Sequence, residues 1–127
     1  MSTLAESMAV TTIATTDLER ARTFYGDQLG LPLLDETPFA LRFGAGGGTQ
    51  ISVRKGKPIV GPTVAHFEVA DITATVAELV ARGVPFQDYE TPKTVEYIAQ
   101  VGPARGAWFA DPDGTIIGLR EGPIPGR

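Results

Sequence analysis

The chain has one histidine, His66, two residues from Glu68 in the run Val64-Ala65-His66-Phe67-Glu68-Val69. Imidazole moves protons near neutral pH, and imidazole and carboxylate both hold divalent metals. Residues two apart on a strand share a face, so the pair has the chemistry for general-base work or for part of a metal site. A metal held by these two groups still needs a third donor, and no partner for His66 as a base is visible in the sequence. The plainer readings of His66 are a hydrogen-bonded wall residue or a polar contact to a ligand. Cysteine is absent, which removes disulfides, thiolate metal sites and cysteine nucleophiles together. There is no Gly-x-Ser-x-Gly elbow. The glycine-rich stretch Gly44-Ala45-Gly46-Gly47-Gly48 lacks the Lys-Ser/Thr of a phosphate-binding loop and precedes a strand, so it reads as a hairpin turn.

The elements that position these groups follow from periodicity. Met8 to Thr15 is rich in β-branched residues and reads as a strand. Thr16-Asp17-Leu18-Glu19 fits a capping box with Thr16 at the cap. Leu18, Ala21, Phe24, Tyr25 and Leu29 then recur at helical spacing, and Gly30 ends the helix. Short strands follow at Leu31 to Leu34, Phe39 to Phe43 and Thr49 to Arg54. After a connector rich in Gly and Pro, Val64 to Val69 is a strand. Asp71 caps a helix with Ile72, Val76, Leu79 and Val80 on its apolar face, and strands begin again at Val84 to Phe86, Ala107 to Ala110 and Ile116 to Leu119. Asp111-Pro112-Asp113-Gly114 joins the last two, with Pro112 presetting φ and Gly114 accepting a positive φ.

The halves repeat. Asp17-Leu18 matches Asp71-Ile72 at an offset of 54, and Phe43 with Gly48-Thr49 matches Phe109 with Gly114-Thr115 at an offset of 66. The second half is therefore longer by 12 residues between helix and hairpin, and the surplus falls around Tyr89 to Arg105, expected to form a lid or rim. An internal repeat fixes architecture ahead of any motif. The fold class is α+β: two βαβββ modules, about 8–54 and 64–122, joined by a connector over 55–63 in a single domain of residues 1–127. Together they are expected to form a curved mixed sheet with an open concave cup.

Composition bounds the function. At 127 residues the chain can build a real core, and 43% hydrophobic with 20% charged residues is ordinary for a globular protein. No apolar run spans a membrane. Residues 1–7 read as a loose lead-in rather than a signal peptide, and a cytoplasmic location is expected. A formal charge of −4, with no basic cluster, argues against nucleic acid and favours cationic over anionic small molecules.

Thr16-Asp17-Leu18-Glu19-Arg20-Ala21 with Phe24-Tyr25 and Leu29-Gly30-Leu31, then His66 to Ile72, then Phe109 to Gly114, resemble the vicinal oxygen chelate superfamily. That superfamily includes glyoxalase I, extradiol dioxygenases, fosfomycin resistance enzymes and bleomycin resistance proteins. The resemblance covers nearly the whole chain and implies the glyoxalase/bleomycin resistance/dioxygenase-like fold. It also implies metal ligands, usually His or Glu, at up to four equivalent strand positions. In this chain those positions fall at Val10, Ser52, Val64 and Gly118. Val and Gly offer no side-chain donor and Ser is a weak one, so no metal or other cofactor is expected.

Strand parity assigns the cup. If Phe109 and Ala107 pack on helices, Trp108 faces the cup. By the same argument Val10, Thr12, Arg42, Gln50 and Ser52 face it; the resemblance implies that Val64 and Gly118 do as well, and His66, two residues past Val64, shares that face, with Tyr97 as a further ligand contact. The bare position at Gly118 is expected to leave room beside the indole for a flat group. The resulting expectation is a metal-independent protein that binds or sequesters a small, partly apolar or aromatic molecule, as bleomycin resistance proteins do, and that forms a homodimer. The alternative is a glyoxalase-like lyase or isomerase, or a dioxygenase, with an atypical site.

Overall fold

The computed structural model describes residues 4–127, so the first three residues of the expected lead-in lie outside it. In order the elements are β1 (Thr11–Thr15), α1 (Leu18–Ala21) continuing as a π-helical stretch (Arg22–Gln28), β2 (Leu33–Glu36), β3 (Ala40–Gly44) and β4 (Gln50–Lys55). Then come β5 (Thr63–Glu68), α2 (Ile72–Ala81), β6 (Ala99–Val101), β7 (Ala104–Ala110) and β8 (Ile116–Glu121). They form two compact units, one running through Pro58 and the other starting at Ile59. Each unit holds one four-stranded mixed sheet, ordered β1-β4-β3-β2 in the first and β5-β8-β7-β6 in the second.

In unit 1, β1 runs parallel to β4, while β4–β3 and β3–β2 are antiparallel. The helix is capped by Asp17 rather than Thr16. The extended backbone of Asp17 (φ −146°, ψ 103°) brings its carboxylate to the free amide of Arg20, at 3.1 Å. Thr16 instead accepts from the Arg20 guanidinium at 3.0 Å. Past Ala21 the hydrogen bonds lengthen to five-residue steps, as in Leu29 N to Phe24 O at 2.9 Å. The buried face carries Ala21, Phe24 and Tyr25 onto Ile13, Leu41, Phe43, Ile51 and Val53. Tyr25 lies 5.9 Å from Phe43, centroid to centroid. β1 starts at Thr11 and not at Met8, because pairing with β4, its neighbour in the sheet, begins at Thr11↔Ile51.

Unit 2 repeats the plan. Asp71 caps α2 through Ala74 N at 3.1 Å, and Ile72, Val76 and Leu79 are buried with Ala107, Phe109, Ile117 and Leu119. Glu121 at the end of β8 accepts from Ile72 N at 2.9 Å and from Arg105 at 2.8 and 3.0 Å, tying the helix start to the sheet. The β7–β8 turn is as expected. Buried Asp111 accepts from Asp113 N and Thr115 N, and Gly114 has φ 86°.

The surplus length of unit 2 is not a simple rim. Residues 85–87 already run along β7, with Phe86 bridged to Phe109 and Gln87 N bonded to Trp108 O at 2.8 Å. The chain leaves over residues 88–98 and then rejoins β7 as β6, where Ala99 pairs with Gly106. Most of the excursion is exposed, whereas Ala99 and Ala104 in the hairpin after it are buried. The expected lid therefore ends at residue 98, and residues 99–105 belong to the sheet.

Candidate functional site

Register places the site residues row by row. In unit 1, Thr12 pairs with Ser52 and Ser52 with Arg42, so all three side chains share the face turned from the helix. Gln50, paired with Gly44, is on the same face. Its Oε1 accepts from Arg42 Nη1 at 2.9 Å. Ser52 is buried, Arg42 and Gln50 are half-buried, and Thr12 is exposed. Val10 falls one residue short of β1 and so has no place in the strand register.

A cavity of about 460 Å³ opens on this face, with Leu31, Pro32, Leu34, Ala45 and Gln50 in its wall. Gly44 lies in the same wall, and Leu34 and Pro32 close over it: a Cβ there would stand 3.3 Å from Leu34 Cδ1 and 3.4 Å from Pro32 Cγ. Of its wall only Gln50 was marked by strand parity. Leu34 escaped because the register shifts between Leu33 and Asp35, and alternation fails across a bulge.

In unit 2 the corresponding row is His66, Gly118 and Trp108. The indole lies over bare backbone. A Cβ on Gly106 would stand 3.1 Å from Trp108 Cη2, and one on Gly118 would stand 3.4 Å from Cδ1 and 3.3 Å from His66 Cβ. The space above Gly118 is thus taken by the indole and His66 themselves, contrary to the expected opening. Tyr89, from the excursion, meets the indole edge-on at 5.5 Å and 80°. Neither Tyr89 nor Gly106 was singled out as a site residue, although Gly106 stands two before Trp108 and alternation would have found it.

His66 is exposed, and its Nε2 is 3.5 Å from Glu68 Oε2. The other partner of Glu68 is Arg120, whose Nη1 lies 2.7 and 3.1 Å from the two carboxylate oxygens. This hydrogen-bonded guanidinium holds the Glu68 carboxyl below its ordinary pKa, with His66 adding to the effect. Val64 sits where β5 slips its register against β8, between Thr63 and Ala65. Tyr97 does not join the Trp108 face. It packs 5.8 Å from Phe86, which contacts core Phe109 at 5.4 Å.

The donor set can be judged against a divalent metal. Val10, Val64 and Gly118 have no donor atoms, Ser52 has one hydroxyl, and Glu68 is engaged by Arg120. Among the described residues no three His, Cys, Asp or Glu side chains converge. The residues present do not fit the metal that the resemblance implies.

Two βαβββ units, each with a sheet face turned away from its helix, make this an α+β chain with a repeated module. The pattern of the Glyoxalase/Bleomycin resistance protein/Dioxygenase superfamily matches residues 7–119, and the chain belongs to that superfamily. Among solved structures it is similar to a glyoxalase/bleomycin resistance protein from Streptomyces sp. CB03234, at 30% identity over 89% of this chain and 98% of that one, with a TM-score of 0.65. It is similar also to TnmS3, an antibiotic binding protein from the same source, at 26% identity over 92% and 96%, with a TM-score of 0.71. The fosfomycin resistance protein FosX from Listeria monocytogenes shares the fold at 15% identity, covering 93% and 94%, with a TM-score of 0.72. No curated protein sequence matches the chain. No described helix is long and apolar enough to cross a membrane.

Proposed function

We propose that this protein binds and sequesters a small, partly aromatic molecule without a metal, and that Trp108 is the main contact. The observation that carries the reading is the indole laid over Gly106 and Gly118, with Tyr89 edge-on beside it, in the row where the superfamily's enzymes keep a metal ligand. An aromatic surface held on backbone loses little freedom when a flat ligand meets it, and stacking adds roughly 0.5–1.5 kcal/mol beyond area burial. Similarity to an antibiotic binding protein supports the same class of activity. We propose further that the protein acts as a cytoplasmic homodimer.

Trp108 is the only tryptophan, so its emission reports this face alone. Native mass spectrometry of freshly purified protein should reveal a retained small molecule. Rebinding of that molecule should quench or shift the emission, and Trp108→Ala should weaken it about tenfold while keeping most of the thermal stability. A severe loss of melting temperature in Trp108→Ala, with no emission response in the native chain, would show the indole to be core. The competing reading, a lyase, isomerase or dioxygenase with an atypical site, requires near-stoichiometric metal and activity lost on chelation, or turnover without metal.

A further inference from the structure

Unit 1 carries a second feature that the Trp108 reading does not use. Its strand face is rich in donors and poor in acceptors. Arg42 has one recorded partner, the neutral amide of Gln50, and no described carboxylate pairs with it. Asp35 stands opposite Arg42 in the β2–β3 register, beside the bulge, and forms no ion pair with a described residue. Arg54, on the same face through its pairing with Ala40, likewise forms no ion pair with a described residue. Guanidinium can only donate, so Gln50 must turn its oxygen to Arg42. Both amide hydrogens of Gln50 are then left for something else, and no described acceptor takes them. The cavity that Gln50 helps to line is otherwise mostly apolar, through Leu31, Pro32, Leu34 and Ala45.

An apolar recess of about 460 Å³ beside an unpaired cation and an oriented amide matches a molecule with an apolar body and an anionic head. We infer that unit 1 holds a site for an amphipathic carboxylic acid, its hydrocarbon part in the recess and its carboxylate on Arg42 and Gln50. This runs against the acidic balance of the whole chain, because on this face two guanidiniums, Arg42 and Arg54, stand against one carboxylate, Asp35, and carboxylates farther off are screened. The inference rests on unit 1 alone and stands independently of Trp108.

The test is calorimetric titration of the full chain with octanoate, octan-1-ol and octylamine at fixed ionic strength. Octanoate should bind about tenfold or more tighter than octan-1-ol, the range set by a hydrogen bond to a charged group, and octylamine should bind weakest. Arg42→Met should reduce octanoate to the level of the alcohol. Gln50→Glu should do the same by giving Arg42 an internal carboxylate, and thermal melts confirm that each variant is folded. Methyl resonances of Leu34 and Ala45 in the native chain should shift on adding octanoate, which needs no variant. Trp108→Ala should leave octanoate binding intact, so a failure here and a failure of the Trp108 reading are separable. Equal binding of acid and alcohol, methyl shifts confined to other residues, or an octanoate preference surviving both variants would overturn the assignment.

Discussion

The central row of the strand face reads Thr12, Ser52, Arg42 in unit 1 and His66, Gly118, Trp108 in unit 2. The helix-side rows differ far less. Phe43 corresponds to Phe109, Ile51 to Ile117 and Val53 to Leu119, all buried. One face of each sheet therefore keeps the frame, and the other has diverged into hydrogen-bond donors in one unit and aromatic surface in the other. A packed face tolerates only residues of similar volume, whereas an open face is constrained by what it contacts.

The largest effect should come from breaking the common frame. Phe43→Ala and Phe109→Ala should each cost about 3–5 kcal/mol in denaturant unfolding. A loss below about 1 kcal/mol for either would mean that its ring does not hold the place assigned to it. Next in size, Gly118→Val should cost about 1–3 kcal/mol by overpacking, because its Cβ would crowd Trp108 and His66. The tryptophan emission should shift with it. The change at the matching position of unit 1, Ser52→Ala, should stay under about 1 kcal/mol, since the hydroxyl has no hydrogen-bond partner among the described residues.

The helix caps should give smaller and equal losses. Asp17→Ala and Asp71→Ala are each expected to lower stability by about 1 kcal/mol, measured by thermal melts. Unequal losses would show that the two caps differ in strength despite their like geometry. Smallest is a pH effect confined to unit 2. The Ile72 amide, followed by Arg105, holds the Glu121 carboxyl below its ordinary 4.5, while the corresponding residue of unit 1 is Lys55. A lowered folded pKa contributes stability that is full above the unfolded value and lost as pH falls through the folded one. Glu121→Gln should therefore flatten the decline of melting temperature below about pH 4.5. An unchanged slope would remove Glu121 from the acid response.

Much of the frame was legible because it depends on local signals. The Asp71 cap, the Asp111 turn and the order of the elements follow from short-range chemistry, and alternation from buried Phe109 puts Trp108 on the sheet face turned from the helix. Thr16 failed as a cap because Thr16 and Asp17 both offer oxygens, and only the backbone angle of Asp17 decides between them. Tyr97 was expected beside the indole but packs on Phe86, and the Leu34 recess was not anticipated, for another reason. The first lies in an excursion between strands and the second at a break in strand register, and periodicity describes neither. The bare position at Gly118 was visible, but what fills it was not, since the indole direction is set by Gly106 two residues away.

The split of the second strand in unit 2 has a consequence for variation. Residues 88–98 leave the sheet and return to it, with pairing to β7 resumed on either side. The entropy of closing such a loop rises only as the logarithm of its length, so doubling it costs about 0.6 kcal/mol. The excursion can be lengthened or rewritten while the ladder on both sides stays in phase. Because it supplies Tyr89, the neighbour of Trp108 is encoded in the segment of this unit that can change at the least thermodynamic cost.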